Sequence, residues 1–289
     1  MALDATPDRA NKHPPLGIPP PSVIMVRMDS SAVSEYVSRG HKQVQGWCSE
    51  VAMELTVAVD RIQKEMDIGG NIAEIGVHHG KLFILLKLLA RATEHAVAVD
   101  LFSEQELNID LSGMGDEEVF LANVQRFVGA KADLAILRGD STRLAAHDLT
   151  EAAGGPMRLF SVDGGHTAAI TIHDLASASH SLAPGGVILL DDYFNADWPA
   201  ISEGTNRFLL GPENPGLVPF VVGGNKLLFT TDERHARAYL TGIIAGGLST
   251  AYKESEMFGH PILCVSYNAT GGSFPVRALR ELIRRLGLD

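Results

Sequence analysis

The sequence predicts an α/β fold: a mostly parallel sheet with helices on both faces and an antiparallel hairpin at its end. Three observations carry this. Short apolar runs alternate with helix-period stretches from residue 71 to residue 190. The first run, 71–75, leads through a turn with Gly76 and Gly80 into the apolar helical stretch 82–90. Residues 218–222, Gly223-Gly224-Asn225 and 226–230 read as strand, tight turn, strand.

Composition narrows the class. The chain has 289 residues, 45% of them hydrophobic, enough for one large domain with additions. A formal net charge of -11 lacks the cationic footprint of a phosphate-backbone binder, so small-molecule chemistry is favoured over nucleic acid. The arginines between 277 and 285 read as a solvated helix face. Cys48 and Cys264 belong to no C-x-x-C pair and are expected as reduced, buried thiols. The chain opens on no basic-then-apolar leader, and stretch 82–90 is short and broken by Lys87. A cytoplasmic protein without a membrane partner is expected.

In chain order, residues 1–30 are polar and proline-rich, with Pro14-Pro15 and Pro19-Pro20-Pro21, and are expected to form a flexible arm. Residues 31–68 read as one or two helices. There Trp47, Val51, Leu55, Val59 and Ile62 recur at helical spacing, an apolar stripe for the core or for a second copy, and a homodimer is expected. Gly69-Gly70 ends this helical part. Strands follow at 72–75, 96–99, 134–137, 159–162 and 187–190, with helices at 81–91, 116–128 and 168–181. After the hairpin come a helix at 232–244, an extra strand at 260–267 and a last amphipathic helix at 274–286. Residues 31–289 are thus read as one domain, with core 69–231 and C-terminal additions 232–289.

Each strand ends in, or is closely followed by, an acidic residue: Glu74, Asp100, Asp140, Asp163, then Asp191 and Asp192. Ligands of parallel sheets bind beyond the carboxyl ends of the strands. Gly76 permits a backbone shape closed to other residues, and the helix start offers unpaired N–H groups. Asp100 is placed to take both hydroxyls of a ribose.

The spacing Glu74-x-Gly76-x-x-x-Gly80 resembles motif I of the class I S-adenosylmethionine (SAM) methyltransferases, with His78 where the usual middle glycine stands. It is not the G-x-G-x-x-G of dinucleotide folds, which argues against a nicotinamide-dependent oxidoreductase. A non-catalytic SAM-binding module is a further alternative. The resemblance implies a Rossmann-like sheet in the order 3-2-1-4-5-7-6. It implies that Glu74, Gly76, His78 and Gly80 hold the methionine end of SAM and Asp100 its ribose. It sets Leu101 and Phe102 beside the adenine, Asp140 and Ser141 at the adenine edge, and Asp163 close by.

Residues 191–198, with Asp163-Gly164-Gly165-His166 before them, are similar to the macrocin-type bacterial O-methyltransferases. That similarity implies a divalent metal, Mg²⁺ or Mn²⁺, on Asp163, Asp191 and Asp192. It also implies an acidic base two positions beyond Asp163, where this chain has Gly165; the nearest replacement is His166. His173 and His180 share that helix's face at seven-residue spacing and read as ordinary surface groups. The expected function is SAM-dependent O-methylation of a hydroxyl on a small molecule such as a sugar or polyketide.

Overall fold

The computed structural model describes residues 31–129 and 133–266. The proline-rich arm and the helix expected at 274–286 lie outside the described residues.

The described strands are β1 (Asn71–Ile75), β2 (Ala96–Asp100), β3 (Leu134–Arg138), β4 (Met157–Val162), β5 (Leu182–Asp191), β6 (Val218–Gly223), β7 (Lys226–Thr230), β8 (Tyr252–Met257) and β9 (His260–Val265). They form one sheet in the order β3-β2-β1-β4-β5-β7-β6-β9-β8. The expected order 3-2-1-4-5-7-6 is present, and β9 and β8 extend it. Strands β1 to β5 pair in parallel, while β7 runs antiparallel to β5 and β6.

Eight α-helices accompany them among the described residues: α1 (Ser31–Ser38), α2 (Glu50–Glu65), α3 (Lys81–Leu89), α4 (Glu117–Phe127), α5 (Ala146–Ala153), α6 (Ala168–His180), α7 (Pro199–Leu210) and α8 (Glu233–Gly246). The side-chain alternation of the strands divides the core between two faces. Val187 and Leu189 of β5 pack with α2, α3 and α8, while Ile188 and Leu190 pack with α5, α6 and α7. Polar caps start several helices where the sequence offers them: Ser49 accepts from Ala52 N, Asp116 from Val119 N, Thr167 from Ile170 N and Asp232 from His235 N.

Three elements escaped the sequence reading. Helix α5 has only Leu149 and Ala153 fully buried, and the inner face of α7 includes Gly204 and Thr205 between Ile201 and Phe208, so neither shows a continuous apolar stripe. Strand β8 is the sheet edge, Tyr-Lys-Glu-Ser-Glu-Met, and its charged middle is exposed. Charge on an edge prevents pairing with other chains and erases the apolar alternation that marks a strand.

Four residues of the N-terminal stripe lie where a core stripe should, and Trp47 does not. Val51, Leu55, Val59 and Ile62 are buried in this chain's own core, with α2 lying against α8. Trp47 precedes the helix and is 73% exposed. The stripe therefore requires no second copy. Cys48 and Cys264 are free, as expected, but half-buried rather than buried.

Candidate active site

The carboxyl ends of β1, β2, β4 and β5 meet at one rim, and Gly76 sets how closely. Its φ is +82°, and a Cβ there would lie 1.8 Å from the backbone oxygen of Asp163. The exits of β1 and β4 are thus in backbone contact. Gly80, φ +89°, begins α3, and His78 between them also has a positive φ of 48°. The His78 ring packs between Trp47 at 5.5 Å and His79 at 3.9 Å.

Asp100 braces this turn. Its Oδ2 accepts the backbone N–H of His78 at 2.7 Å and its Oδ1 that of Phe102 at 2.9 Å. Burial pushes its pKa up, and those N–H bonds pull the other way. Each carboxylate oxygen can accept a second hydrogen bond, so Asp100 retains capacity for a ribose.

Glu74 is buried and its Oε2 has no hydrogen-bond partner. Burial raises its pKa from 4.5 to about 8, although nearby Lys226 favours the charged form. The folded chain holds this proton up to about 8, whereas the unfolded chain releases it near 4.5. Its stabilising contribution is therefore complete below 4.5 and is lost as pH rises through 8. Wild-type stability should fall relative to Glu74→Gln across that window, by at most about 1.4 kcal/mol per pH unit. Urea unfolding at stepped pH measures it; a constant gap between the two proteins would refute the assignment.

Lys226 is one residue that sequence reasoning missed. It starts β7 opposite Asp191, is 2% exposed, and places Nζ 2.8 Å from Asp191 Oδ2 and 3.6 Å from Asp163 Oδ2. Burial would lower its pKa, but Asp191 and Asp163 outweigh that and raise it. Burial and the adjacent Asp191 push Asp163 well above the ordinary carboxylate range, with Lys226 opposing. The available signal was a lysine opening the otherwise apolar run Leu227-Leu228-Phe229.

Asp163, His166 and Asp192 form a second group, with one donor atom from each lying within 4.8 Å of the others. His166 Nε2 is 3.2 Å from Asp192 Oδ2, and Nδ1 is 2.7 Å from Asp110 Oδ2. Burial would lower the His166 pKa, but hydrogen bonds to Asp192 and Asp110 outweigh it and raise it. Asp192 has φ +61° and accepts from Asn195 and Asn225. The expected trio Asp163, Asp191 and Asp192 is thus divided: the Asp191 side chain faces Lys226, and His166 takes its place in the cluster.

Other expected residues lie elsewhere. Phe102 is 2% exposed and packs in the core against Phe120, centroids 5.7 Å apart, rather than facing a ligand. Asp140 spends Oδ1 on Thr142 N and Oγ1, capping the turn that begins at Ser141. Leu101 is half-buried beside Asp100. His180 is exposed on α6 and bonds the Ala176 carbonyl, while half-buried His173 lies 3.5 Å from Asp174.

A parallel sheet in this order, a glycine turn after β1 and acidic groups on the rim are the arrangement that the resemblance to class I SAM-dependent methyltransferases implied. Residues 73–193 match the family described as a methyltransferase domain. The O-methyltransferase NovP shares the fold, with a TM-score of 0.52 and 14% identity over 64% of this chain and 82% of that one. The O-methyltransferase TomG from Streptomyces achromogenes is also similar, with a TM-score of 0.46 and 16% identity over 70% of this chain and 91% of that one. No curated protein sequence matches the chain.

Proposed function

We propose that this methyltransferase acts on a hydroxyl oxygen of a small molecule, with SAM held by Glu74, Gly76, His78, Gly80 and Asp100. One observation carries the reading: the chain gathers Glu74, Asp100, Asp163, His166 and Asp192 at the ends of neighbouring strands. SAM supplies an electrophilic methyl group on a sulfonium. The buried, unpartnered Glu74 Oε2 fits a ligand ammonium, and the Gly76–Gly80 turn with the start of α3 fits its carboxylate. Neutral His166, with its hydrogen on Nδ1, takes the acceptor's proton on Nε2 while the oxygen bonds to the methyl carbon, the carbon–sulfur bond breaks and S-adenosylhomocysteine leaves. The net charge of -11 supports a small-molecule acceptor over nucleic acid.

A divalent cation belongs to the same reading. Asp163 and Asp192 offer oxygen ligands in the cavity that His166 also lines, and Asp191 is paired with Lys226. Such an ion, Mg²⁺ or Mn²⁺, would lower the pKa of a hydroxyl bound to it. No helix of the described residues is long and apolar enough to cross a membrane. The two free thiols fit a reducing compartment such as the cytoplasm. Exposed Trp47 is apolar surface available to a second copy, and a monomer mass in light scattering would remove the homodimer.

Isothermal titration with SAM, S-adenosylhomocysteine and NAD tests the cofactor. Heat is expected with the first two and none with NAD, and Asp100→Ala should weaken S-adenosylhomocysteine by about 1.5–3 kcal/mol. Binding of NAD alone would overturn the reading. A mass gain of one methylene in a cell extract supplied with SAM would then reveal the acceptor.

A further inference from the structure

We propose that Asp110 is a positioning residue, which fixes the His166 imidazole with Nε2 turned toward Asp192 and the acceptor. The inference rests on His166 as the base. Asp110 lies on the segment between β2 and α4, remote in sequence from His166. Its Oδ2 accepts the His166 backbone N–H at 2.9 Å and lies 2.7 Å from Nδ1 of the ring. One carboxylate oxygen thus holds both backbone and side chain.

The other oxygen is used differently. Asp110 Oδ1 accepts from Ser112 N at 3.1 Å and from Ser112 Oγ at 2.6 Å, which fixes the plane of the carboxylate. Ser112 Oγ also lies 3.1 Å from His166 Nδ1. Trp198 stacks on the ring at 4.1 Å and 14°. The Nδ1 edge and one ring face are therefore occupied, and Nε2 is the nitrogen left facing Asp192. A carboxylate on one ring nitrogen keeps the hydrogen there and assigns the chemistry to the other.

A local turn accounts for the bonds to Oδ1 but not for those to Oδ2. The turn is also kept against its own preference. Leu111, between the two residues that reach His166, has φ +56° and is 80% exposed. A bulky residue in the left-handed region persists only where its surroundings impose it, and such strain gathers at functional sites. The same segment reaches the cofactor side: a Cβ on Gly115 would lie 2.7 Å from Asp100 Oδ1. One loop therefore touches both the ribose carboxylate and the base.

The test uses the full chain labelled with ¹⁵N-histidine, saturated with S-adenosylhomocysteine. A ring N–H bonded to a carboxylate gives a far-downfield proton that exchanges slowly with water. Wild type should show this proton on Nδ1 of His166, identified by its loss in His166→Gln. Asp110→Ala should lose it, and Asp110→Asn should shift it upfield. Absence of the proton in wild type, or its persistence in Asp110→Ala, would overturn the proposal. If Asp110→Ala does not fold, an unshifted resonance in Asp110→Asn has the same force. Ligand binding retained alongside such a failure removes only the role of Asp110. A wild-type protein that binds no S-adenosylhomocysteine would strike the SAM reading itself, and this proposal with it.

Discussion

Replacing Lys226 by methionine should destabilise the protein by about 3–5 kcal/mol, the usual consequence of removing one partner of a buried ion pair. Methionine matches the stem in volume, so little packing is lost and the effect isolates the charge. Buried Asp191, 2.8 Å from Nζ, and half-buried Asp163, 3.6 Å away, would be left without their cation. Glu74, whose charged form Lys226 also favours, would lose that support. A double change, Lys226→Met with Asp191→Asn, should recover part of the loss, because the isolated charge is then gone as well. Urea unfolding of wild type, single and double variants measures both terms. A single variant within 1 kcal/mol of wild type would show that the ammonium is not the counter-ion of these carboxylates.

Gly76→Ala is expected to abolish binding of S-adenosylhomocysteine and to lower stability by more than about 2 kcal/mol. Part of that is conformational, since an L side chain in the left-handed region costs about 1–2 kcal/mol. The rest is steric and harder to relieve. The new Cβ would meet the Asp163 oxygen at 1.8 Å and its carbonyl carbon at 2.6 Å, both backbone atoms. Neither can swing away like a flexible side chain, so the exits of β1 and β4 must part. Glu74 and Asp163 sit on those two exits, so parting them dismantles both halves of the proposed site. Calorimetric titration and thermal unfolding read the two effects separately. An alanine variant that binds the ligand normally would mean that the turn relaxes without moving β4.

How far the site was legible depended on whether its cause was local. The glycines at 76 and 80, Asp100 and the strand-end carboxylates were readable because strand, turn and helix have local periodicities and turn chemistry. Phe102 was misplaced because an aromatic after a strand has the same local signature whether it faces a ligand or packs on Phe120. Asp140 likewise follows a strand like the others, yet its hydrogen bonds go to Thr142 within its own turn.

The order of residues alone was sufficient for the α/β architecture, the 3-2-1-4-5-7-6 core of the sheet and the resemblance to methyltransferases. The architecture follows from hydrophobic period, the resemblance from the spacing Glu74-x-Gly76-x-x-x-Gly80, and the strand order from what that resemblance implies. The pairing of charges could not be read that way. Lys226 meets Asp191 only because β7 inserts antiparallel beside β5 with those two residues in register. Asp110 meets His166 only because a loop from the β2 side folds across the rim of the sheet. Which carboxylate takes the lysine and which takes the histidine depends on distances of a few ångströms between residues 26 to 63 positions apart in the chain. Interactions of that range fall off steeply with separation and burial, and only the packed tertiary structure sets either.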